Sequence, residues 1–151
     1  MSTVPQIGID PTRVINGSFG KVFREGRWLA QYNKLEAKID IQKAELKLSG
    51  SRWVHHKVTG IKGSGSVAGY KVNSDMTQRN SSVADDSGVT ARTELLSRLD
   101  DPESYGCERI RLMNVIFDEI QLAKWEAGKE SDEDLKFTFE GYELLDPIME
   151  G

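Results

Sequence analysis

From Lys34 to Gln42 the chain alternates without a break. Leu35, Ala37, Ile39 and Ile41 fall on one face, and Lys34, Glu36, Lys38, Asp40 and Gln42 fall on the other. A period of two sustained over this length marks a strand with one face buried and one face wet. The phase then slips, because Ala44, Leu46 and Leu48 are apolar at even positions. A slip of one residue sends every side chain to the opposite face of a sheet. A bulge or turn is therefore expected near Gln42–Lys43.

Other segments carry the same period more briefly. Two short apolar runs flank Glu25-Gly26 and predict a hairpin over residues 17–32. Residues 63–72, GSGSVAGYKV, read as a strand of small residues, whose glycines mark the close approach of another backbone. Val89–Leu99 predicts a further strand, broken by Asp100-Asp101-Pro102. Residues 107–125 predict two strands, one through Ile110, Leu112 and Val115–Phe117 and one through Ile120, Leu122 and Trp125. Leu135, Phe137 and Phe139 predict a last strand, and the tail ELLDPIMEG is short and partly apolar. The only helix signal is Ser74 as N-cap with Asp75 in the first turn, over a polar stretch with few apolar residues to pack. Seven or eight strands and one short helix predict a mainly β fold, a sandwich or small barrel. One domain is expected over residues 17–151, preceded by an extended arm over 1–16 and interrupted by a long basic loop at about 43–62.

Hydrophobic residues at 38% against 29% charged are enough for a packed core, which argues against a disordered chain. No apolar run approaches the length of a membrane helix, and the first residues lack a basic start followed by an apolar stretch, so neither membrane insertion nor a secretory signal is expected. Cys107 is the single cysteine and can make no internal disulfide, which suits a reducing compartment. Charge is unevenly distributed. Residues 1–80 hold 13 Lys and Arg against 6 Asp and Glu, and residues 81–151 hold 7 against 18. Such a split either steers a partner of opposite sign, including another copy of the chain, or cancels where the two halves interleave.

Catalytic patterns are missing. Gly60–Ser66 has the spacing of a phosphate loop, but Ser66 stands where the lysine is needed. His55 and His56 are the only histidines, and as neighbours on a strand they point to opposite faces. The acidic run Glu130, Asp132, Glu133 and Asp134 lacks the spacing and glycine of a calcium loop. No cofactor and no enzymatic activity are expected. Trp53, beside Arg52 and Lys57, reads either as a lone exposed aromatic or as an interface anchor.

The ordered set GSFGKVFREGRWLA, LEAKIDIQKAEL, HKVTGIKGSGSVAGYKV, DDPESYGCERIRLMNVIFDEIQLAKWEAG and FTFEGYELLD resembles the tail tube proteins of contractile phage tails, from about Gly17 to Asp146. The likeness extends to the tubes of Gram-positive phages, defective prophages and phage-tail-like bacteriocins. It implies a β-sandwich or barrel with one flanking helix, six subunits to a ring, and rings stacked head to tail around a channel. It implies as partners other copies of the chain, a sheath protein, a tape-measure protein, and baseplate and tube-terminator proteins. DNA would be non-specific cargo, and assembly would take place in the bacterial host cytoplasm. By this resemblance Lys43, Lys47, Arg52, Trp53, His55 and Lys57 reach toward a neighbouring subunit or ring. Lys34, Glu36, Lys38 and Asp40 face the lumen, and Glu130, Asp132, Glu133 and Asp134 are the acidic counterpart. The competing expectation, from a different class, is a monomeric β-sandwich binding module of a baseplate or adhesion apparatus, which a cluster of exposed aromatics would favour.

Overall fold

The computed structural model describes residues 8–85 and 88–149. The expected arm is therefore described only from residue 8. There, Pro11–Arg13 forms a short 3₁₀ turn, and Arg13 Nη1 donates to the Glu103 carbonyl at 3.0 Å. Eight strands follow in order: β1 (Gly20–Arg24), β2 (Arg27–Trp28), β3 (Tyr32–Lys47), β4 (Val54–Tyr70), β5 (Thr93–Leu99), β6 (Glu108–Phe117), β7 (Asp132–Phe139) and β8 (Gly141–Asp146). One helix, α1 (Asp75–Asn80), lies between β4 and β5. The mainly β expectation holds.

All pairings are antiparallel, in the order β2-β1-β5-β6-β7-β4-β3, with β8 also on β6. The expected hairpin turns at Glu25 and Gly26, both with positive φ, as a two-residue turn between twisted strands requires. β6 belongs to two sheets. Its first part pairs with β5 and β8, and Ile116 and Phe117 pair with β7. The change comes at Asn114, which has φ 52° and adjoins a register shift against β5. Asparagine tolerates this left-handed conformation better than most residues. The sheet thereby folds over a core of Val22, Leu29, Val67, Leu95, Leu112, Val115, Leu135, Phe137 and Phe139. Phe117 and Phe137 meet edge to face at 5.8 Å.

The helix is held by a buried cation. Arg24 donates to Thr93 Oγ1 at 3.3 Å, Met76 Sδ at 2.8 Å and Asn80 Oδ1 at 3.0 Å. Met76 and Asn80 are the buried residues of α1. Ser74 occupies the N-cap position without a side-chain bond, and Asn73 Oδ1 instead accepts from the Asp75 N–H at 3.1 Å.

Three expectations are corrected. The basic stretch 43–62 is not a loop, because Lys43–Lys47 pair with Val54–Val58 as the distal part of the β3–β4 hairpin and only a turn at 48–53 is unpaired. The slip at Gln42–Lys43 is a bulge whose extra residue, Thr59, lies on β4. Residues 120–125 form no strand. The chain leaves the ladder after the Asp118 N–H bonds the Lys136 carbonyl, and then side chains take over: Glu119 Oε1 accepts from the Lys136 N–H and Gln121 Nε2 donates to the Asp132 carbonyl. Residues 143–146 of the expected tail belong to the strand β8, Gly141–Asp146.

Glycines let β4 be covered closely. A methyl group at Gly65 would lie 2.3 Å from the Glu36 carbonyl oxygen and 2.6 Å from the Phe137 ring. At Gly60 the nearest atom is the flexible Gln42 Oε1 at 3.3 Å. Gly65→Ala should therefore lower stability by about 1–3 kcal/mol. Gly60→Ala should leave it within about 1 kcal/mol or raise it. Denaturant midpoints by circular dichroism measure both.

Candidate assembly interface

β7 ends its pairing with β4 at Gly63↔Phe139, so from Lys62 outward β4 is paired only with β3. The distal part is a two-stranded ribbon running from Asp40↔Lys62 to Lys47↔Val54. The bulge at Thr59 shifts the β4 pattern by one residue against β3. One face of the ribbon then carries Ala44, Leu46, His55 and Lys57, and the other carries Lys43, Glu45, Lys47, Val54, His56 and Val58. Each face mixes apolar and charged side chains, and Leu46, Val54 and Val58 are exposed. An isolated two-stranded ribbon is at best marginally stable in water. This one, with exposed apolar side chains on both faces, is suited to being covered from both sides.

The tip is locally ordered. Gly50 has φ +84°, the Trp53 N–H donates to Ser51 Oγ at 3.2 Å, and His55 Nε2 lies 3.1 Å from the same oxygen. Trp53 is 83% exposed, and Arg52 is exposed beside it. The structure thus gathers Lys43, Lys47, Arg52, Trp53, His55 and Lys57 on one protruding ribbon.

Lys34, Glu36, Lys38 and Asp40 are exposed on one face of the β3–β4–β7 sheet. Their rows run Lys34–Ala68–Asp134, Glu36–Ser66–Lys136 and Lys38–Ser64–Thr138, and Asp40 faces Lys62. Opposite signs alternate along and across this face, with small residues in the middle strand.

The acidic four are separated. Asp132 lies 3.0 Å from Lys124, and Asp134 stands on the polar face just described. Glu130 is exposed in the loop before β7, and Glu133 turns inward and is buried. Periodicity assigns Glu133 to the face of Leu135 and Phe137, a signal that was available in the sequence. Leu122 and Trp125, each 80% exposed, lie in that same loop and form an apolar display that strand reasoning had assigned to a sheet. Among the described residues no helix is long and apolar enough to cross a membrane.

The family model described as "Phage tail tube protein" matches residues 8–146. The chain belongs to the phage tail tube protein family. It is a component of a phage tail or tail-like particle. The phage-like element PBSX protein XkdM of Bacillus subtilis (strain 168) is 30% identical to this tube protein over 138 residues, which covers 90% of this chain and 93% of the relative. Among solved structures, the anti-feeding prophage tube-terminating cap has a TM-score of 0.72 at 6% identity, over 95% of this chain and 97% of that one. A chain of an extended sheath–tube complex of an extracellular contractile injection system has a TM-score of 0.69 at 6% identity, over 87% and 92%. These two likenesses are likenesses of fold.

In this tube protein Tyr32 is buried with its hydroxyl unbonded, and burial, followed by the nearby Glu133 carboxylate, pushes its pKa well above the ordinary value of about 10. The folded state therefore keeps this proton after the unfolded chain has lost it. The stability linked to Tyr32 is fully present below about pH 10 and is lost as pH rises beyond it. Tyr32→Phe should be within about 1 kcal/mol of wild type, or more stable, at neutral pH. It should lose less stability than wild type between neutral and alkaline pH, as chemical denaturation at a series of pH values would record.

Proposed function

We propose that this chain is the subunit of the inner tube of a contractile phage tail or phage-tail-like particle, with six copies to a ring and rings stacked head to tail around a channel. The observation that carries the reading is the protruding β3–β4 ribbon, with exposed apolar side chains on both faces, in a chain of the tail tube family. The paired length of β3 also leaves an outer edge open along 16 residues, a template that a neighbouring copy can cover. The likeness of fold to a chain of the sheath–tube complex of a contractile injection system supports the contractile setting. The N-terminal segment over residues 1–16 joins neighbouring copies.

The face bearing Lys34, Glu36, Lys38 and Asp40 lines the channel. Phosphate binding grows with the number of basic groups not answered by acids. A wall of alternating signs gives DNA no run of cations to hold it, so DNA passes as non-specific cargo. The role is structural rather than catalytic. Sheath, tape-measure, baseplate and tube-terminator proteins are the partners, and the tube is assembled in the host cytoplasm.

Purified protein imaged by negative-stain electron microscopy across concentration and salt should form rings or hollow filaments. Replacing residues 48–53 by a two-residue Asn-Gly turn should abolish them while leaving the circular dichroism spectrum of the subunit intact. Filaments from the shortened chain would refute the role given to the ribbon tip.

A further inference from the structure

The β3–β4 ladder has two different ends. One is the ribbon tip at Lys47↔Val54, and the other is Tyr32↔Gly69, where Tyr70 also pairs with Asp132 of β7. Fifteen steps of β3 separate them, roughly 50 Å at strand spacing. Beside Tyr70 and Asp132 opens a cleft of about 350 Å³ walled by Trp125, Lys124 and Glu130. Its aromatic walls are bare, since Trp125 and Tyr70 are both exposed.

We propose that this cleft is the seat for the ribbon tip of the next copy, with Trp53 entering between Tyr70 and Trp125 and Arg52 facing Glu130. The proposal rests on the head-to-tail tube argued above and names the surfaces that meet in it. Charge supports the match. Residues 43–57 carry four Lys and Arg against one Glu, while the cleft is lined by Glu126, Glu130 and Asp132 against Lys124 and Lys129. Lys124 pairs with Asp132 and Lys129 with Glu126, which leaves Glu130 for an incoming cation.

Both partners are held before they meet. The tip is fixed by Gly50 and Ser51 as described. The cleft wall is fixed by Thr77 Oγ1 donating to the Gln121 carbonyl at 3.0 Å, Gln121 Nε2 donating to the Asp132 carbonyl at 2.9 Å, and the Lys124–Asp132 ion pair at 3.0 Å. A turn at Gly128, φ +85°, closes the loop, with the Lys129 N–H donating to the Glu126 carbonyl at 3.2 Å. Rigid tryptophans in such settings are common anchors of interfaces. Because tip and seat differ and lie at opposite ends, each copy that docks leaves a free tip at one end and a free seat at the other, and growth is open-ended.

The test uses the full chain. Ser49→Cys/Lys129→Cys in a Cys107→Ser chain, both at exposed positions beside the tip and in the cleft wall, is treated with a short bismaleimide under assembling conditions, and a ladder of covalently linked copies is expected that neither single variant gives. In parallel, Arg52→Glu should raise the concentration needed for assembly by roughly tenfold. Adding Glu130→Lys to the same chain should restore most of it. Tubes that form normally but give neither linkage nor rescue overturn the seat and leave the tube reading standing. A wild-type chain that forms no ring or filament under any condition overturns both.

Discussion

A single methyl group will not fit at Gly65, because the Glu36 carbonyl and the Phe137 ring already occupy the space. That close approach fixes β4 between β3 and β7, with Val67 and Leu135 fully buried beside it. Gly63 repeats the device under Phe139, where a Cβ would meet the ring at 2.5 Å. Large aromatics on β7 fill the space that small residues on β4 leave. The sheet is thin at its centre, and β3 is carried on it to the outside. Everything beyond Lys62 depends on this anchored stretch, since the distal ribbon has no third strand of its own.

In the proposed tube the ribbon is an assembly element that a single chain leaves uncovered. Burying apolar side chains on both its faces requires partners on both faces, and within one chain none is supplied. Charged residues are interleaved with Leu46, Val54 and Val58, much as edge strands are guarded by lysines. The same interleaving hides it from sequence reasoning. With the apolar residues divided between two faces, no face reads as buried, and the segment passes for a loop.

The rest of the fold was legible where one face is buried and illegible where the backbone changes sheet. β7 alternates against the core and was read to within a few residues, whereas on β3 only Leu35 of the face expected to be buried packs on the core, and Ala37, Ile39 and Ile41 are exposed. β6 was expected as a strand, but its left-handed Asn114 is announced by no periodicity, and β8 follows β7 after only Glu140, so Leu144 and Leu145 read as a tail. Ile120 to Trp125 had strand composition, but their neighbours' backbone groups are taken by the Glu119 and Gln121 side chains. The candidate site was legible at its basic end, where the residues are consecutive on one ribbon. At its acidic end Glu133 belonged to the core, and the exposed Leu122 and Trp125 were assigned to a strand.

The uneven charge of the two halves admitted two readings, interleaving or steering, and the structure contains a place for each. On the β3–β4–β7 face, Lys34 shares a row with Asp134 and Glu36 with Lys136, so first-half and second-half charges alternate. At the two ends of the same ladder they stay apart, with the basic residues on the tip and the acidic loop beside Tyr70. In the proposed tube, cancellation falls on the surface that faces DNA, and separation on the two surfaces that meet. Antiparallel topology makes this possible, because β7 runs beside β4 only as far as Gly63 and so brings its acids to one end and the middle, never to the tip. The polarity of the proposed tube is thus already present in the register of a single subunit.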